Sequence, residues 1–247
     1  MLNTIDHGNI RELRLARAPV NALDAALVDH LTTSLLKAED ECDAVVLSGQ
    51  PGMFSAGLDV KSLMSLDREN MAAFWESFIS LMGTIACSSI PVATAITGHA
   101  PAGGAVLCIA SDYRVMCRGQ YKIGLNETRV GLVLVPVIQD AMARLVGPRM
   151  AEKMVVDGTL VGPESALKTG LVDALEPDYE ATIQHAIDWC KAVLSLPRHA
   201  MLGSRVIARR HSRQAFAQQD VAGVATFLES WFSNETQALI KSLFNRI

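Results

Sequence analysis

Short apolar runs closed by glycine or proline alternate with helix-spaced segments along this 247-residue chain, and that alternation constrains its fold more than any other feature. Residues 9–16 read as a strand and Pro19, Val20 and Asn21 as a turn. Residues 23–41 read as a helix with Leu23, Ala26, Leu27, Leu31 and Leu35 at helical spacing. A second cycle has a strand over 44–48 closed by Gly49 to Gly52, a helix over 70–85, and a strand over 92–96 ended by Gly98. A third has a small-residue helix over 103–110 and a strand over 113–116. Alternating strands and helices of this kind imply an α/β class with largely buried strands.

Past Val133 the texture turns helical, with helical patterns over 136–146, 149–156, 163–169, 181–196, 199–210, 214–232 and 236–244, and one short strand over 171–175. The chain therefore divides into a core over 1–195 and a C-terminal helical region over 196–247, with a soft boundary near Ser195, Leu196 and Pro197. The tail is rich in apolar positions (Phe216, Val221, Val224, Phe227, Leu228, Trp231, Phe232, Leu239, Leu243, Phe244). That is more than one stripe needs, so self-association is expected, with docking onto the chain's own core as the alternative.

Composition narrows the function. Half of the residues are apolar and 19% charged, as in a soluble globular protein, and the net charge of −4 gives no field to attract polyanions, so no nucleic-acid partner is expected. The basic run Arg205, Arg209, Arg210, His211 reads as a solvated helix face. Five scattered cysteines read as reduced thiols, and neither they nor the six scattered histidines offer metal-ligand spacing, so no metal is expected. No apolar stretch reaches the ~20 residues of a membrane span, and the N-terminus resembles neither a signal nor a transit peptide. A cytoplasmic protein without a membrane partner is the expectation.

Three segments carry candidate chemistry. The first, Phe54, Ser55, Ala56, Gly57, Leu58 and Asp59, follows a buried strand, and its small residues let backbone N–H groups approach a ligand. It reads equally as a plain strand-to-helix turn, and the GxSxG elbow of a nucleophilic serine is absent because Met53 stands where its first glycine belongs. The second runs from Gly98 to Val106, with Gly103 and Gly104 at a helix start whose N–H groups suit an oxyanion. It lacks both nucleotide-loop motifs, and its His99 reads as a packed histidine more readily than a base. In the third, Glu127 sits in apolar company that would raise its pKa toward neutrality, the alternative being a helix-start glutamate doing capping duty. Together they form an oxyanion hole, from about Ala56 and Gly103, facing one general base.

With these residues in place, the sequence closely resembles the crotonase, or enoyl-CoA hydratase/isomerase, superfamily. The resemblance runs from Pro19, Val20 and Asn21 through Phe54 to Asp59 and the Gly103-Gly104 turn, and on to Leu171, Val172 and Asp173. It implies a spiral of repeated ββα units, a C-terminal helical trimerisation region giving trimers or dimers of trimers, and an acyl-CoA thioester substrate. It also implies that the N–H groups of Ala56 and Gly103 hold the thioester carbonyl, that Ser55, Ala56, Gly57, Leu58 and Asp59 lie along the CoA, and that Asn126 lines the acyl site. Hydratases of the family carry a glutamate three residues after the oxyanion glycine, where this chain has Val106. The glutamate that remains, Glu127, is similar in setting to that of the mitochondrial-type Δ3,Δ2-enoyl-CoA isomerases, for which one carboxylate suffices. No cofactor is implied, since CoA enters as part of the substrate. The rival readings are a hydratase or other single-acid reaction on a specialised thioester, and a non-catalytic acyl-CoA- or RNA-binding member. Pocket depth is expected to depend on residues 70–85 and 132–137.

Overall fold

The computed structural model describes residues 1–218, 220 and 222–244. A hairpin opens the chain, with β1 (Leu2–His7) turning at Gly8 and Asn9 to pair antiparallel with β2 (Ile10–Leu15). There follow α1 (Ala25–Glu41), β3 (Ala44–Ser48), β4 (Gly52–Met53), α2 (Val60–Leu63), α3 (Arg68–Cys87), β5 (Val92–Ile96) and β6 (Gly98–Pro101). Next come α4 (Gly103–Ala110), β7 (Tyr113–Cys117), β8 (Ile123–Gly124) and a 3₁₀ turn, Glu127–Val130. The rest is helical apart from β9 (Ala174–Glu176): α5 (Pro136–Val146), α6 (Pro148–Asp157) and α7 (Pro163–Thr169) precede it. After it run α8 (Tyr179–Leu194), α9 (Arg198–Ala208), α10 (Arg210–Phe216), α11 (Val224–Trp231) and α12 (Asn234–Phe244).

Two sheets arise from one repeated unit. The six-stranded sheet has the order β1-β2-β3-β5-β7-β9 and is parallel from β2 onward, while a three-stranded parallel sheet has the order β4-β6-β8. The strand pairs β3/β4, β5/β6 and β7/β8 are successive in sequence, and each puts its first member in the large sheet and its second in the small one. A helix or 3₁₀ turn follows each pair, so the chain climbs as a spiral of ββα units, as the resemblance to the crotonases implies. Stacking these units brings the exits of β4, β6 and β8 side by side, and that alignment positions the site.

The large sheet is buried on both faces, which is why β3 and β5 are buried at every position and, apart from Ser48 and Thr94, apolar rather than alternating. Ala44, Val46, Ala93 and Ala95 pack on Ile183, Ala186, Ile187 and Cys190 of α8. Val45, Leu47, Val92 and Ile96 face the main core built by α1, α3 and α4. That core also takes in Phe227, Leu228 and Trp231 of α11 and Ile240 of α12. Much of the apolar tail is thus spent on its own chain, with the Phe227 ring stacked on Trp75 at 3.8 Å. Val221 lies outside the described residues.

Three expectations need correction. The strand expected over 171–175 is only β9, because Leu171 and Val172 turn their N–H groups to the Ala166 carbonyl and close α7. The helix expected over 214–232 is two, since α10 stops at Phe216 and α11 begins after Gly223, which has φ +53°. Finally, the basic run is not a solvated face. Arg205 grips Asp112 with two bonds of 2.9 Å, and buried Arg209 donates to Asp112 (2.8 Å) and to the carbonyls of Ala86, Ala110 and Ser111. Only Arg210 and His211 face outward.

Candidate active site

The segment after β4 is laid down by pairing with residues 20–23. Asn21, buried and at φ +52°, donates from its side chain to the Phe54 carbonyl (2.9 Å), and its own carbonyl accepts from Ser55 Oγ (2.8 Å). The Leu23 N–H then donates to the Gly57 carbonyl (2.8 Å) and the Asp59 N–H to the Leu23 carbonyl (2.9 Å). In extended chain, neighbouring residues point their N–H groups to opposite sides. With Gly57 and Asp59 turned toward Leu23, the Leu58 N–H is turned the other way, and it has no partner among the described residues.

What it turns toward is the start of α4. A Cβ built on Gly103 would lie 3.3 Å from the Leu58 nitrogen, and one built on Gly57 would lie 3.0 Å from the Gly103 nitrogen. Gly57, at φ +89°, therefore serves both a backbone turn and a close approach. Ala102 holds α4 in this position from a strained conformation, φ +48° and ψ −124°, that costs of order 1–3 kcal/mol. It is fixed by its N–H on the Gly124 carbonyl (2.9 Å) and by the Val106 N–H on its own carbonyl (3.0 Å). The Gly103 N–H, first in the helix, has no partner among the described residues either. Two amides at adjoining backbones, one at a helix N-terminus and neither with a partner among the described residues, could both donate to one negatively charged atom.

The expected donor at Ala56 is corrected by the same pairing, since its N–H is spent on the Val20 carbonyl at 3.0 Å. Ser55 is fully buried, donating to Asn21 and accepting from the Gly57 N–H (3.1 Å), so it builds the loop rather than touching a ligand. Asp59 caps α2 through the Ser62 N–H (3.2 Å) and pairs with Arg17 at 2.6 Å. Of the residues expected along the substrate, Ala56, Leu58, Gly103, Asn126 and Glu127 line one cavity; Ser55, Gly57 and Asp59 do not. His99 is a packing residue whose Nδ1 accepts from the Lys122 N–H (3.2 Å).

The cavity is predominantly apolar, about 180 Å³ in volume, and is walled further by Val60, Trp75, Phe78, Val106, Leu132, Leu134, Ile138 and Phe227. Segments 70–85 and 132–137 supply walls as expected, whereas Phe227 comes from a helix that sequence alone does not connect to the site. Glu127 enters on the 3₁₀ turn after β8. That turn is anchored from outside, by Thr128 Oγ1 on the Val155 carbonyl (2.8 Å), Arg129 Nε on Gly158 (2.6 Å) and Thr236 Oγ1 on Gly131 (2.9 Å). Glu127 does no side-chain capping. Its Oε2 is buried without a hydrogen-bond partner among the described residues, as is Asn126 Oδ1 beside it. Burial of the charged form, only partly offset by Glu127's own backbone N–H, pushes its pKa up to about 7. Val106, buried in the wall one helical turn after Gly103, has no proton to give. Among the described residues no cluster of potential metal ligands occurs and no helix is long and apolar enough to cross a membrane.

The chain as a whole is similar to known proteins. Enoyl-CoA delta isomerase 1, mitochondrial, of Mus musculus is 30% identical over 231 residues, 92% of this chain and 80% of that protein. A probable enoyl-CoA hydratase, EchA17 of Mycobacterium tuberculosis, is 31% identical over 201 residues, 78% of this chain and 74% of its own. The crystal structure of human mitochondrial delta3-delta2-enoyl-CoA isomerase superposes with a TM-score of 0.93 at 27% identity, covering 99% of this chain and 97% of that one. The fold is that of the crotonases, with its C-terminal helical region. The enoyl-CoA hydratase/isomerase family matches residues 6–242, and the chain belongs to it.

Proposed function

We propose that the protein is a Δ3,Δ2-enoyl-CoA isomerase in which Glu127 is the sole proton carrier. The observation that carries this reading is one carboxylate, its Oε2 buried without a partner among the described residues, in an apolar cavity that has Val106 in its wall where a second acid would stand. With the thioester oxygen between the N–H groups of Leu58 and Gly103, ionised Glu127 takes a proton from C2 of a 3-enoyl thioester. The electron pair moves into a dienolate whose negative charge rests on that oxygen. The same carboxyl returns its proton at C4, leaving the double bond between C2 and C3. A correctly placed oxyanion donor is worth ~3–4 kcal/mol of barrier, and the base adds about 10²–10⁴-fold. Asn126 lines the acyl side of the site, and no cofactor takes part beyond the CoA of the substrate.

A hydratase is the alternative, favoured by the similarity to EchA17. Adding water across the 2,3 double bond requires a proton at C2 and a base on the water, and one carboxylate serves both poorly. Incubation with a medium-chain 3-enoyl-CoA and, separately, with its 2-enoyl isomer separates the two. Conversion of the first without hydration of the second is expected; efficient hydration would overturn the assignment. The exposed Val206 and Ile207 of α9 are consistent with further self-association, and we propose a trimer, which sedimentation tests.

A further inference from the structure

We propose that Trp75 is a fixed stop that sets the longest acyl chain the cavity accepts, with Phe227 as its brace; the inference rests on the acyl-CoA reading above. The cavity wall grades from mouth to floor. Val133 is 51% exposed and Leu58 and Val60 are half-buried, whereas Trp75, Phe78, Ile138 and Phe227 are buried. The thioester end is fixed near Leu58 and Gly103, so an acyl chain extends toward the buried group and meets the largest side chain there.

That side chain is held from two directions. Its Nε1–H donates to the Ala222 carbonyl at 2.5 Å, and its ring lies against Phe227 with centroids 3.8 Å apart and planes within 3°. The indole has no other polar atom, and swinging it aside would break both contacts at once. A wall of that kind ends a pocket at one depth instead of yielding gradually. Both braces lie in or just before α11, so the C-terminal helical region closes the floor of a site whose chemistry is carried by the core.

Calorimetric titration with saturated straight-chain acyl-CoAs of increasing length reads the stop without turnover. In the wild type, affinity should rise about fourfold per added methylene and then stop rising at one length. In Trp75→Ala the rise should continue to longer chains, and Trp75→Phe should move the break by a smaller step. A break at the same length in the variants, or no break in the wild type, overturns the proposal. Should Trp75→Ala fail to fold, Trp75→Phe and Phe227→Leu decide the matter, the latter blurring the break by freeing the indole. Parallel turnover of the matching 3-enoyl-CoAs keeps the two readings apart. A displaced break without isomerisation leaves the stop standing and removes the isomerase, and absence of any acyl-CoA binding removes both.

Discussion

The two ends of α4 treat polar groups in opposite ways. At its C-terminal end the charges are paired, with Arg114 Nε the exception: Arg209 and Arg114 donate to the Ser111 carbonyl, Arg209 to Ala110, and Asp112 receives both Arg205 and Arg209 as well as the Val92 N–H (2.8 Å). At its N-terminal end the Gly103 amide, the Leu58 amide facing it and Glu127 Oε2 have no partner among the described residues. The contrast extends to a second buried glutamate. Burial would raise the pKa of Glu12, but hydrogen bonds from Arg14 (2.8 Å), Ser48 (2.6 Å) and His7 (3.0 Å) outweigh it and hold the carboxyl below the ordinary range. Buried polar groups left unpaired are costly, and proteins keep few of them. Glu127 Oε2 and Asn126 Oδ1 at one cavity, beside the two unpartnered amides, set this end apart as the one open to an incoming polar group.

The contrast predicts losses of different kinds at the two ends. At the N-terminal end, Glu127→Gln keeps the shape and removes the base. Turnover should fall by about 10²–10⁴-fold or more while acyl-CoA affinity, read by calorimetry, changes little. Undiminished isomerisation would show that another group carries the proton. At the C-terminal end, Asp112→Ala strands two inward-facing guanidinium groups and should cost about 3–5 kcal/mol in denaturant unfolding. Turnover per folded molecule should change far less than in Glu127→Gln. A variant at Asp112 that unfolds like wild type would mean the arginine cluster is solvated.

These two ends were not equally legible in the sequence. The elements β3, β5, α4, α5 and α7 follow directly from apolar runs punctuated by glycine or proline, because a strand buried on both faces and a glycine-started helix leave strong local marks. The edge strand β1 leaves none, as Leu2–His7 is half exposed and packs little. Leu171 and Val172 look like a strand because burial alone makes them apolar. Gly103 and Glu127, which the structure brings to one cavity, stand out in the sequence as a helix-start glycine and a lone acid. The choice between the Ala56 and Leu58 amides does not, because it is fixed by which side of the segment pairs with Val20 and Leu23, residues some 35 positions away. Phe227 lies farther still along the chain, and no local pattern ties it to Trp75.

Gly57→Ala tests the amide pair directly. The added Cβ would sit 3.0 Å from the Gly103 nitrogen at a backbone φ of +89°, forcing the two donors apart. Loss of the equivalent of one oxyanion donor, about 10²–10³-fold in turnover, is expected. If Glu127→Gln, by contrast, leaves the pair intact, it should still bind an oxyanion-bearing analogue that Gly57→Ala binds weakly. Equal binding by both variants would break the assignment of Leu58 and Gly103.

The smallest effect is on pH, and its sign separates an unpaired carboxylate from a paired one. Glu127 must be ionised to act as base, so kcat/KM should fall about tenfold per unit below pH 7 and level off above it. Stability should run the other way. The folded carboxyl titrates at about 7 against an ordinary value of 4.5, so between those values the folded state binds more protons than the unfolded state. Glu127 thus costs nothing below about pH 4.5, and stability declines as pH rises through about 7. The full shift would amount to roughly 3 kcal/mol, and solvent reaching the cavity reduces it to about 1–3 kcal/mol. Glu12, whose folded carboxyl is lowered, contributes in the opposite sense, adding stability above its unfolded value and losing it only in stronger acid. The stability difference between wild type and Glu127→Gln isolates the Glu127 contribution, because Glu12 is common to both. That difference should be larger at pH 8 than at pH 4.5, with the glutamine variant the more stable, and a difference independent of pH would mean that the carboxylate finds a partner in the folded protein.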